Sequence, residues 1–235
     1  MKRIILTLIV VTFGLILSAQ TNPDSVEPRS NHDRFRIALS GGPGYRLGIT
    51  RKDVSPDLLP YLNQTHLGFV MNVGASYYFH RRWGAGVNYK LLYSKTSLDT
   101  YMTLTNGTSG YGEISDRIQT HFIGPSVHRR FSSPIHQRTY LIQLSAGYLA
   151  FRDRTKTLHK EIFYRGHTLG LVCTISIDFR ISKTLVIGVE CAFLYAVLSK
   201  YTKVEGSAVT LVELEKPYLS NQSSVDLALG FRFWK

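Results

Sequence analysis

The chain has 235 residues, of which 44% are hydrophobic and 12% aromatic, and a formal charge of +12 at pH 7. That length suits one domain or one barrel. After residue 20 no segment nears the roughly 20 continuous apolar residues of a membrane helix, which excludes helical spanning. Two cysteines, Cys173 and Cys191, are too few for a disulfide framework.

The chain opens MKRIILTLIVVTFGLILSAQ: a basic start at Lys2-Arg3, an apolar run from Ile4 to Leu17, and small residues at Ser18-Ala19. This predicts a cleaved secretory signal peptide over 1–20, with cut sites after Ala19 and after Gln20 both open. No Cys follows the apolar run, which disfavours a lipid anchor. Residues 21–34, TNPDSVEPRSNHDR, read as a polar periplasmic tail, and 35–235 as the folded unit. Loss of Lys2 and Arg3 takes the charge from +12 to +10. Export also removes nucleic acid as the expected partner of a basic chain.

Beyond residue 35 the apolar residues recur with period two, the signature of strands with one apolar face. The pattern predicts strands at about 35–48, 66–79, 83–95, 117–130, 138–152, 164–180, 184–198 and 222–234. In 171–180, for instance, Leu171, Cys173, Ile175, Ile177 and Phe179 share a face opposite Val172, Thr174, Ser176, Asp178 and Arg180. The fourth strand has mixed parity in HFIGPSVHRRF, and Pro125 cannot donate to a ladder, so a bulge is expected there. Short connections at 80–82, 131–137 and 181–183 alternate with long polar ones at 49–65, 96–116, 153–163 and 199–220. Short turns at one end and long loops at the other describe an up-and-down meander.

A soluble barrel would give the same alternation, but three features favour a membrane. The strands are longer than the globular average of about 5–6 residues. Their apolar faces carry aromatics near both ends, as in Phe35 and Tyr45, Trp83 and Tyr93, and Tyr140 and Tyr148, like the interfacial girdles of transmembrane barrels. The opposite faces are rich in glycine and polar groups, which suits a narrow interior. The predicted fold is therefore all-β: an eight-stranded antiparallel up-and-down transmembrane β-barrel with short periplasmic turns and long extracellular loops.

Arg36, Asn88, Lys90, Asp178, Glu190, Asp226 and Arg232 then point into the lumen, where buried charges must pair with one another. They are also the lining of any pore. Basic residues cluster at the short-turn end, in YYFHRRWGAGVNY and again in HRRF, so Arg81, Arg82, Trp83, Arg129 and Arg130 are expected as periplasmic interface anchors. If Arg180 pairs with Thr184, residues whose numbers sum to 364 lie opposite, which places Cys173 beside Cys191. A disulfide and two free thiols both remain open.

The stretches SYYFHRRWGAGVNY, HFIGPSVHRRF and SSVDLALGFRFWK resemble the small eight-stranded outer-membrane barrels of the OmpX and OmpA-barrel type, in particular the porin-like proteins common in Bacteroidetes. The resemblance covers essentially everything from Phe35 and implies location in the outer membrane. It implies assembly through recognition of the closing strand, although Lys235 follows Trp234 where such barrels often end on an aromatic. It implies contact with outer-membrane lipid and lipopolysaccharide, and a monomer; no peptidoglycan-binding domain is expected after the barrel, unlike in full-length OmpA-type proteins. The Asp24-Ser25-Val26 tripeptide also looks like a short Bacteroidetes O-glycosylation pattern, which leaves modification of Ser25 open. No cofactor or metal is expected. His121 with Ser126 and His167 with Ser176 are not spaced as a hydroxyl and its base. The leading expectation is a non-catalytic barrel with a structural or surface-interaction role through its loops, their partner unidentified. The alternatives are a narrow porin-like channel and, behind it, a lipopolysaccharide-modifying enzyme.

Overall fold

The computed structural model describes residues 34–48, 59–103, 109–133, 138–157, 160–182, 184–214 and 220–235. The expected signal peptide over 1–20, residues 21–33 of the expected tail including Ser25, and Lys183 lie outside them. The strands are β1 (Phe35–Arg46), β2 (Leu67–Tyr77), β3 (Trp83–Thr103), β4 (Ser109–Ser133), β5 (Arg138–Thr157), β6 (Lys160–Arg180), β7 (Leu185–Leu198), β8 (Lys200–Glu205), β9 (Ala208–Glu213), β10 (Ser220–Asn221) and β11 (Ser224–Trp234). A helix, α1 (Leu59–His66), precedes β2.

From β1 to β7 each strand pairs antiparallel with the next, and β11 pairs with both β7 and β1. The ring therefore closes on eight strands, as expected, and leaves no edge in the barrel wall. Side chains alternate strictly, so that in β7 Val186, Gly188, Glu190, Ala192 and Leu194 are buried inside while Ile187, Cys191 and Tyr195 are exposed outside.

Four expectations are corrected. The fourth strand has no bulge: β3–β4 pairing runs unbroken from Trp83↔Arg129 to Thr103↔Ser109. Its parity looks mixed because apolar Phe122 points inward, and Pro125 falls where the β4–β5 pairs skip from Ile123↔Tyr148 to Ser126↔Ser145. There Gly124 and Gly147 face each other, and a Cβ on Gly147 would lie 2.5 Å from the Cα of Gly124, so neither position accommodates a side chain.

The segments 96–116, 153–163 and 199–220 are largely strand. Pairs such as Leu98↔Ile114 and Thr155↔Ile162 include the β-branched residues suited to a pleated surface. The β8–β9 hairpin turns through Gly206-Ser207, with Gly206 at φ 59°, a conformation that favours glycine in two-residue hairpin loops. Within 49–65, α1 carries Pro60 in its first turn, where a missing N–H costs little.

The last correction concerns the β6–β7 hairpin. Its register sums to 366, so that Cys173 faces Phe193 and Cys191 faces Ile175, and both thiols are free. The turn sits one residue later than expected because Ile181 N–H bonds Leu185 O at 3.1 Å while Ser182 Oγ accepts from the N–H groups of Thr184 and Leu185.

Candidate functional site

Arg36, Lys90, Asp178, Glu190, Asp226 and Arg232 come from β1, β3, β6, β7 and β11, and closure of the ring brings them into one buried network. Asp178 accepts from Arg36 Nη2 at 3.2 Å and faces Arg232 Nε at 3.2 Å. Arg232 Nη2 donates to Glu190 Oε2 at 2.6 Å and its Nη1 to Gly188 O at 3.0 Å. Glu190 Oε1 also accepts from Ser40 Oγ at 2.5 Å and Asn72 Nδ2 at 2.7 Å. Lys90 Nζ bonds Asp226. Three cations meet three carboxylates, so the cluster is neutral, which a low-dielectric interior demands. Asn88 is buried on the same wall beside Gly74. Gly188 is required here, since a Cβ would run into Asp178 and lie 2.9 Å from Arg232 Nε.

The lumen is less polar than expected. At the short-turn end Tyr78, Leu141, Val186 and Trp234 pack together, and further out lie two apolar clusters, Val70 with Leu92 and Ala228, and Phe122 with Leu149, Val172, Ala192, Leu194 and Ala196. Eight strands leave a bore that side chains fill, and apolar groups fill it as well as polar ones.

The inner mouth redistributes the expected anchors. Arg81, Arg82 and Trp83 are exposed at the turn, and the Arg129 guanidinium lies over the outward rings of Trp83 at 5.2 Å and Phe131 at 5.0 Å. Arg130 departs from the expectation. Its guanidinium lies over Tyr78 at 4.4 Å and Trp234 at 5.4 Å, on the lumen side. Residues 129 and 130 are adjacent in a strand and must face opposite ways.

Sequence reasoning missed a further pair. Ser126 Oγ and His128 Nε2 are hydrogen-bonded at 2.8 Å, both buried in the lumen. Their i, i+2 spacing on one strand face was the signal. His128 Nδ1 has no partner among the described residues.

At the opposite mouth Arg46 donates to Thr120 Oγ1 at 2.7 Å and Ser94 Oγ at 3.1 Å. Tyr61, buried on α1, donates to Asp116 Oδ2 at 2.8 Å. Burial and the Asp116 carboxylate push Asp153 up to about 7, against the pull of Arg46. Burial, with the bond to Asp116, raises Tyr61.

The outside is apolar. On β5 the outward residues run Tyr140, Ile142, Leu144, Ala146, Tyr148 and Ala150 before turning charged at Arg152, and on β6 Leu169 and Leu171 are 79% and 58% exposed. From Tyr140 to Ala150 the strand rises about 33 Å, or roughly 25 Å of height at the usual tilt of about 40°. A continuous belt of that height is far larger than any patch a water-soluble monomer exposes.

No protein-family model and no curated protein matches the sequence. Among solved structures, a major outer membrane protein of Thermus thermophilus superposes with a TM-score of 0.56 at 14% identity, over 86% of this chain and 98% of that one. The fold is that of the small outer-membrane β-barrels. Neisserial surface protein A (TM-score 0.49, 12% identity, 85% and 96% covered) and the attachment invasion locus protein Ail of Yersinia pestis (TM-score 0.46, 12% identity, 85% and 99% covered) are further similar structures. With an apolar belt outside and every wall strand paired, this outer-membrane barrel spans the bilayer with its short turns periplasmic and its long connections outside the cell.

Proposed function

We propose that the chain is a non-catalytic outer-membrane barrel acting at the cell surface, in a structural role or by contact with a partner, through the sheet beyond the membrane. The observation that carries this reading is that β3–β6 continue past the apolar belt and end in the β8–β9 hairpin. There β9 pairs only with β8 among the described residues and exposes Val209 (69%) and Leu211 (60%). An unpaired strand edge with apolar side chains is a template for strand addition by another chain. The packed lumen supports a protein that does not conduct, and the burial of the Ser126–His128 pair in that lumen supports one that does not catalyse. Phe231 and Phe233, outward on the closing strand, suit recognition by the assembly machinery, and the protein acts as a monomer in outer-membrane lipid.

Planar bilayers test the reading. The purified barrel is expected to give no single-channel steps. Steps whose size changes when Lys90 or Glu190 is neutralised would instead establish the narrow porin.

A further inference from the structure

Just beyond the apolar belt the outer wall carries a ladder of like charges. Cross-strand partners on the outward face include Lys95↔Arg117, Arg117↔Arg154 and Arg152↔Arg165, spanning β3 to β6. All five side chains are exposed. Like charges directly opposite each other destabilise a sheet, and here three such pairs are contiguous. The nearby acids do not balance them. Glu161 bonds Arg154, Asp99 and Glu113 stand further out on β3 and β4, and Asp116 and Asp153 face the lumen. Among the described residues none of Lys95, Arg117, Arg152 and Arg165 has a carboxylate within 4 Å.

A groove of about 230 Å³ runs from this ladder down into the belt, lined by Arg152, Ala150, His121, Tyr89, Tyr148 and Ile123. On its wall Tyr89 and His121 Nδ1 are hydrogen-bonded at 2.9 Å, and His121 Nε2 has no partner among the described residues. Tyr148 stacks on His167 with ring centroids 6.0 Å apart. The groove is apolar at its membrane end and cationic at its water end.

We infer that this face holds a phosphate-bearing lipid of the outer leaflet, its phosphate on Arg152 and Arg165 and an acyl chain along Tyr148 and Ile123. Charge complementarity and depth select this occupant. The arginines stand where the headgroups of the leaflet lie, and arginine pairs phosphate bidentately. A lipid anion relieves the repulsion along the ladder, while its chain covers the groove that the wall leaves open. The inference rests on the membrane-spanning fold and not on the proposed surface role.

The mature chain in detergent micelles, titrated with bisphosphorylated lipid A, with the same lipid dephosphorylated, and with inorganic phosphate, tests this by native mass spectrometry. The phosphorylated lipid is expected to bind, and the double variant Arg152→Gln/Arg165→Gln to bind about thirtyfold more weakly, from two cations at a charged surface. The same variant is expected to unfold at a higher temperature than wild type in phosphate-free neutral micelles, where only the repulsion remains. Equal binding of phosphorylated and dephosphorylated lipid would overturn the inference. So would equal binding by wild type and variant, or inorganic phosphate occupying the site as well as the lipid does. Should the double variant lose its heat-dependent electrophoretic shift, Arg165→Gln alone replaces it, with about fivefold weaker binding expected.

Discussion

Asp178 stands between two guanidinium groups, Arg36 and Arg232, all three buried. Removing one member of such a set strands charge in a low dielectric, so Asp178→Ala is expected to cost about 3–5 kcal/mol. Equilibrium urea unfolding in lipid vesicles measures it. Lys90→Met combined with Asp226→Leu, which removes both members of a pair, is expected to cost much less than either change alone. A double variant as unstable as the sum of its parts would refute the pairing. The sequence makes the faces of these residues legible, because period two assigns every side chain to lumen or lipid. It does not make their partners legible. Arg36 and Asp178 are 142 residues apart and meet only because β1 and β6 belong to one closed ring with a particular stagger. Nor does the apolar character of Phe122 disclose that it points inward, since a narrow lumen tolerates apolar filling.

Strand elements were readable where one face meets lipid and the other a polar lumen, and less so where that contrast ends. Beyond the belt β3 and β4 no longer separate lipid from a polar lumen, so Leu98, Tyr111 and Ile114 lose their alternating context although the ladder continues. The β6–β7 register was displaced because Ser182, a turn former by side-chain bonding, carries the reversal one residue further. Helix α1 was invisible because eight residues containing Pro60 give too short a period, and contact with the mouth through Tyr61 stabilises it. Asp153 stands beside that contact, its charge opposed by that of Asp116. Asp153 binds its proton more tightly folded, at about 7, than at its ordinary 3.8. Its contribution is therefore fully present below 3.8 and is lost as pH rises through 7. Hydrogen exchange, corrected for the intrinsic rate, is expected to show α1 better protected at about pH 5 than at about pH 8. Asp153→Asn is expected to abolish the difference. Protection that rises with pH would contradict it.

At the scale of the molecule, an apolar belt outside and a packed, neutral network inside invert the arrangement of a soluble barrel only on the outer face. The lumen resembles an ordinary protein core with its charges matched, and the belt takes lipid as its solvent. Leu229, 62% exposed in mid-wall on β11, reports most directly on which solvent it meets. A single spin label there, in a Cys173→Ala/Cys191→Ala background reconstituted in vesicles, is expected to collide freely with oxygen and hardly at all with a water-soluble nickel complex. A label that meets the nickel complex as readily as one placed at Val209, in the extracellular hairpin, would show that the wall faces water and would contradict the membrane barrel.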